Sequence, residues 1–249
     1  MCLIITKTAN GRVDWQAADR SARYNSDGYG VGYATKQGKA TSFLSMSWLD
    51  VKKKAIQLAN QNQPFVLHMR MATHGAVTKT NCHPIQLPSH NMVMAHNGII
   101  STLDVPTGMS DSRVLASFID EVYPNGFLTD DTYRAEVTEL CKGFPSKLSF
   151  IDGNGNLFFI NEDSGAWKDG VWYSVPSAIR TFNSRHFNPK AMMSDSQQEI
   201  LDDEEAFMGN HENISSSYSP SEWLDNYQNR RATKLQTLKS DIHDRNSNS

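Results

Sequence analysis

Two short apolar runs, Phe65–Met69 and Met92–His96, each break abruptly into a polar cluster: Arg70-Met-Ala-Thr-His-Gly75 after the first, Asn97-Gly98 after the second. Runs of this length bounded by polar punctuation read as buried strands. A loop carrying Cys82-His83-Pro84 joins them. With Arg, Thr, His and Asn-Gly all at strand ends, donors from separate segments meet on one rim of a sheet. The rest of the chain must then supply more strands, helices to cover them, and a reacting partner for that rim.

The candidate partner is Cys2, at the head of Cys2-Leu-Ile-Ile-Thr, a further strand-like run. Removal of Met1 would leave Cys2 with a free α-amine. With a reference pKa of about 7.7–8.0, a useful fraction of such an amine is neutral near pH 7. It can take the thiol proton without a separate histidine base, and the thiolate is the attacking species. Taken alone, Cys2 reads as a small apolar residue in an N-terminal strand.

Composition narrows the class. The chain has 249 residues, 39% hydrophobic and 20% charged, with a net charge of −3. It is long enough for one sizeable core or two small ones, and nothing draws it to nucleic acid or an acidic membrane. No apolar run approaches the ~18 residues of a membrane span, and the N-terminus turns polar too quickly for a secretory signal. The three cysteines, Cys2, Cys82 and Cys141, are odd in number and far apart. That favours free thiols in a reducing compartment, the cytoplasm.

Helices are expected over Val13–Tyr24, over Ser47–Asn60 with Ser47 as N-cap, over Asp111–Tyr123 and over Thr129–Cys141, with Gly143 as a stop. The Lys52-Lys53-Lys54 run is a solvated face. Strands are expected at Val31–Thr35, at Lys147–Ile151 and Asn156–Asn161 around the turn Asp152-Gly-Asn-Gly, and at Val171–Val175. The glycines of Asn25-Ser-Asp-Gly-Tyr-Gly-Val-Gly lack a following Lys-Ser/Thr and helix, so they are packing or the floor of a site rather than a phosphate loop. His74, His83 and His96 lack a carboxylate or thiolate at ligand spacing, so no metal and no cofactor is expected. Individually, Arg70 reads as a surface ion-pair residue, Asn97-Gly98 as a hairpin turn, Asp111 as an N-cap and Cys82 as a spectator thiol.

Taken in order, Cys2, Asn25-Ser-Asp-Gly-Tyr-Gly, Arg70-Met-Ala-Thr-His-Gly, Asn81-Cys-His-Pro, His96-Asn-Gly-Ile-Ile and Ser110-Asp-Ser resemble the glutaminase domain of class II glutamine amidotransferases. The likeness is close to the glutaminase half of glucosamine-6-phosphate synthase and to stand-alone members, and covers roughly residues 2–185. It implies an α+β fold, the four-layer α-β-β-α sandwich of N-terminal-nucleophile hydrolases with antiparallel sheets. It also implies that Cys2 is the nucleophile and that Asn97 and Gly98 form the oxyanion hole. L-glutamine would be gripped by Arg70, Thr73, His74, His83 and Asp111, the arginine fork suiting the carboxylate and Asp111 the ammonium. Two positions depart from the common family pattern. Tyr24, beside Arg23, stands where many members have Arg, and Met71 stands where many have an aromatic residue.

Residues 186–249 read as a polar extension with one helix and a disordered end, too short for a synthase domain, and a candidate docking or oligomer element. The expectation is therefore a glutaminase that delivers ammonia to a separate synthase or ligase. The alternatives are an amidase for another γ-glutamyl or peptide amide, and a degenerate glutaminase acting as a binding or regulatory subunit.

Overall fold

A computed structural model describes residues 2–73, 75–100, 105–141 and 146–179. The boundary expected near residue 185, the extension beyond it, and the stop at Gly143 lie outside these. In chain order the elements are β1 (Leu3–Lys7), α1 (Trp15–Tyr24), β2 (Tyr29–Ala34), β3 (Ala40–Ser45), α2 (Trp48–Asn60), β4 (Phe65–Met69), β5 (Ile85–Leu87) and β6 (Met92–Asn97). Then come α3 (Asp111–Val122), α4 (Asp131–Leu140), β7 (Lys147–Asp152), β8 (Leu157–Ile160), β9 (Ala166–Lys168) and β10 (Val171–Tyr173).

The strands form two antiparallel sheets, ordered β3-β2-β4-β1-β10-β9 and β5-β6-β7-β8. Three apolar cores separate four layers. Helices α1 and α2 close the outer face of the first sheet through Leu3, Ile5, Val31, Val51, Phe65 and Leu67. Helices α3 and α4 close the outer face of the second through Met94, Leu115, Ile119, Val137 and Phe150. Between the sheets lie Ile4, Val66, Val93, Ala95, Ile151 and Trp172. Each fully buried side chain of this kind contributes about 1.5–3 kcal/mol, which explains why strands β1, β4 and β6 are apolar on both faces. The arrangement is the four-layer α-β-β-α sandwich with antiparallel sheets.

Among the described residues, side-chain caps start each of the four α-helices. Asp14 accepts from Ala17 N–H, Ser47 from Asp50 N–H, Ser110 from Arg113 N–H, and Asp130 from Thr132 and Tyr133 N–H. Asp111 is thus the first residue of α3 rather than its cap. Asn97-Gly98 is not a hairpin turn either: β6 pairs with β5, which precedes it, and with β7, which follows only after α3 and α4.

The glycines near β2 are spacers. A Cβ at Gly30 would stand 2.1 Å from His83 O, and one at Gly32 would stand 2.5 Å from Val93 Cγ2. Their absence lets the Cys82-His83-Pro84 loop and the second sheet close onto the first. Strand β2 therefore begins at Tyr29, two residues before the expected start, while β3, β5 and β9 are strands the sequence did not signal. Among the described residues no helix is long and apolar enough to cross a membrane.

Candidate active site

The registers bring the polar strand ends together. Leu3 pairs with Met69, and Met69 with Tyr29, so Cys2, Arg70 and Gly28 follow one another across the same edge of the first sheet. On the second sheet Asn97 ends β6 opposite Lys147 at the start of β7. Alternation along the strands decides which way each residue faces. Ile4, Val66, Val93, Ala95 and Trp172 point into the space between the sheets. By the same two-residue period, Cys2, Arg70, Asn97 and Ser174 belong to that inner side. His96 has the opposite parity and reaches α3.

Cys2 is half-buried, and its thiol donates to Met71 O while Met71 N–H donates to Sγ, both at 3.3 Å. Burial pushes the thiol pKa up, with the Met71 N–H and the charge of Arg70 pulling the other way and Asp111 adding to the rise. The sulfur therefore senses both candidate substrate-binding charges. The loop facing it is held by Asp27, whose carboxylate accepts Ala72 N–H at 2.8 Å and whose own N–H donates to Arg70 O at 3.0 Å. These bonds hold the segment in which Tyr24 replaces the arginine of many family members.

Arg70 is 3% exposed and donates to Gly75 O and Ala76 O, at 3.3 and 3.1 Å. Thr73 is exposed, and His74 lies outside the described residues. His83 is buried, its ring tilted 42° against that of His68 with centroids 4.2 Å apart, and its Nδ1 lies within 3.2 Å of His68 Nε2 and of His96 O. Cys82 sits after a short helical turn, not in a strand. Its thiol donates to Thr78 O at 3.6 Å and lies 3.9 Å from Met46 Sδ.

Asp111 links several pieces. One carboxylate oxygen accepts Ile100 N–H at 2.9 Å, and the other accepts Ser112 N–H and Oγ–H at 2.7 and 3.1 Å. Burial acts to raise its pKa, but His96 and these N–H donors outweigh burial and hold it below the ordinary carboxylate value. The network runs on: His96 Nδ1 lies 2.8 Å from Ser112 Oγ and its Nε2 3.1 Å from Ser146 Oγ, which also donates to Ile99 O at 3.1 Å. His96 is a buried histidine with a serine hydroxyl within hydrogen-bond reach of each ring nitrogen. Gly98 has φ +149°, and a Cβ there would stand 2.5 Å from Ser146 Cα. Only glycine fits this position, and the turn it makes carries the chain away from β6 at the rim.

Asn97 is buried, and its Nδ2 lies 2.9 Å from Ser174 Oγ. Ser174, just past β10, also accepts Ile4 N–H at 2.9 Å and returns its own N–H to Ile4 O at 3.0 Å. The second sheet is thus bonded to the first next to Cys2. Sequence reasoning did not single out His68, Ser146 or Ser174. A serine at a strand end carries no signal of its own, and these become visible through the register alone. Among the described residues no group of three or more His, Cys, Asp or Glu is arranged to hold a metal ion.

Residues 5–120 match the family model described as glutamine amidotransferases class-II. Among named relatives, the chain is 27% identical over 144 residues to a glutamine–fructose-6-phosphate aminotransferase (isomerizing) of Bacillus licheniformis, covering 54% of this chain and 24% of the relative. It is 31% identical over 114 residues to the Methanococcus maripaludis protein of the same name, covering 44% and 19%. This chain thus spans a quarter or less of the length of these relatives. Among solved structures, the glutamine phosphoribosylpyrophosphate amidotransferase of B. subtilis superposes with a TM-score of 0.41 at 15% identity, over 72% of this chain and 42% of that one. The family match lies on the segment that carries Asp27, Arg70, Asn97, Gly98 and Asp111, and residues 5–120 of this chain are similar to a class II glutamine amidotransferase domain.

Proposed function

We propose that the domain is a glutaminase that hydrolyses the side-chain amide of L-glutamine through a thioester on Cys2 and releases ammonia for a separate acceptor enzyme. The observation that supports it best is the position of Cys2 on the inner edge of one sheet. There it senses the charges of Arg70 and Asp111, and the Asn97–Ser174 bond brings the other sheet alongside. Glutamine presents a carboxylate and an ammonium at one end and an amide at the other. Arg70 takes the carboxylate, Asp111 the ammonium, with Thr73, His74 and His83 completing the pocket.

Because burial raises the Cys2 thiol, little thiolate stands ready near neutral pH, and the proton must leave as the sulfur attacks. Once Met1 is removed, the α-amine of Cys2 is the nearest base. It accepts the thiol proton as the C–S bond forms and returns it to the nitrogen as the C–N bond breaks. Water then cleaves the thioester, giving glutamate and free thiol. The Gly98 N–H and the Asn97 side-chain amide stabilise the oxyanion in both steps.

Ammonia release from glutamine by the full chain, loss of that release in Cys2→Ala, and labelling of Cys2 by a glutamine-mimicking diazoketone are the expected results. Active protein whose intact mass still includes Met1 would overturn the mechanism. A panel of γ-glutamyl peptides and asparagine checks the substrate, with glutamine expected to be preferred.

A further inference from the structure

The hydrogen bonds around Asn97 are incomplete in a way that points to its working orientation. A serine hydroxyl has one proton to give and two lone pairs to receive with. At Ser174, Oγ receives Ile4 N–H and Asn97 Nδ2–H, both at 2.9 Å, and no acceptor for its own proton is found among the described residues. At the same place Asn97 Oδ1 is buried without a partner. Two unmet groups, one donor and one acceptor, thus adjoin each other. A half-turn of the amide about Cβ–Cγ pairs them. Ser174 then donates to Oδ1 while still accepting Ile4 N–H, and Nδ2 becomes the unengaged group. Buried unpaired polar groups are costly, so a newly formed oxyanion able to receive that N–H completes the set.

We propose that Ser174 is a positioning residue for the oxyanion donor: its hydroxyl donates to Asn97 Oδ1 and thereby aims Nδ2 at the substrate's amide oxygen. The proposal rests on the reading of Asn97 as that donor. Because Ser174 also fastens Ile4, two residues from the nucleophile, any test must separate an effect through Asn97 from an effect through Cys2.

Steady-state glutamine hydrolysis is measured on the full chain carrying Ser174→Ala, Ser174→Thr, Asn97→Ala and the double substitution Asn97→Ala with Ser174→Ala. Asn97→Ala is expected to lower kcat by about 10²–10³. Ser174→Ala is expected to lower kcat at least about tenfold with KM within about twofold, since the interaction is made in the transition state. Ser174→Thr retains the hydroxyl and is expected to restore most of the rate. In the Asn97→Ala background, removing Ser174 is expected to add little. Parental kcat in Ser174→Ala, or a loss that multiplies with that of Asn97→Ala, overturns the Ser174 role. Parental kcat in Asn97→Ala overturns the underlying donor reading instead.

A measurement on the parent protein covers the case in which Ser174→Ala does not fold. The ¹⁵N–¹H signals of the Asn97 side chain are expected to shift when the diazoketone alkylates Cys2, because the adduct's ketone oxygen replaces the amide oxygen of glutamine. Unchanged signals overturn the proposal.

Discussion

The Asp111 carboxylate accepts the N–H of Ile100 at 2.9 Å, so the first residue of α3 fixes the backbone two positions beyond Gly98. The charge proposed to bind substrate and the proposed oxyanion loop are therefore one hydrogen-bonded unit, continued through Ser112, His96 and Ser146. Asp111→Asn is expected to lower kcat/KM for glutamine by at least about tenfold, through a raised KM and a lower kcat together. A substrate analogue lacking the α-amine checks the first part: its KM is expected to be the same in both proteins.

Gly98→Ala is expected to be damaging beyond the usual cost of a positive φ. Its Cβ would press on the Ser146 backbone at 2.5 Å, so the 97–100 segment must move. Backbone strain of this kind costs on the order of 1–3 kcal/mol, and displacement of the proposed oxyanion donor about 10²–10³ in rate. Thermal unfolding and ammonia release together check both effects.

Acid is expected to unfold the domain through its buried histidines. Burial pushes the His68 pKa from 6.5 down to about 3, and burial likewise lowers His83 and His96. Between pH 6.5 and about 3 the unfolded chain binds a proton at His68 that the folded chain refuses, so stability falls as pH falls across that window. At pH 5 the loss relative to pH 7 is about 2 kcal/mol for His68 alone. Urea denaturation at the two pH values measures it, and His68→Gln is expected to flatten the dependence.

The buried hydroxyl pair Thr6–Ser149, at 2.7 Å, crosses between the sheets. Thr6→Val leaves the Ser149 hydroxyl buried and unmatched and is expected to cost about 1–3 kcal/mol. Adding Ser149→Ala is expected to recover part of it. Denaturant midpoints of the two single variants and the double variant decide.

Strands β1, β4 and β6 are legible in the sequence as short apolar runs buried on both faces, and helix α3 because burial at helical spacing leaves a stripe that local physics can read. Ala40–Ser45 is not: its burial is mixed, so it has neither clean alternation nor an unbroken apolar run. Ile85–Leu87 is three residues long and held by its neighbour β6. Asn97-Gly98 has a strong local preference for a hairpin turn, which the pairing of β6 with β7 overrides. In the site, Cys2, Arg70, Asn97 and Asp111 are chemically conspicuous side chains at strand or helix ends. The serines that orient them are not conspicuous, because a hydroxyl's task is set by its neighbours in space.

Cys2 stands on one sheet and Asn97 on the other, so the opening between the proposed nucleophile and the proposed donor is gauged by the spacing of the two layers. Stacked sheets lie about 10 Å apart, a distance set by the side chains trapped between them. Trp172, wholly enclosed in that layer two residues before Ser174, acts as a shim. Trimming it would alter the aperture of the proposed reaction chamber without touching any group proposed to meet glutamine.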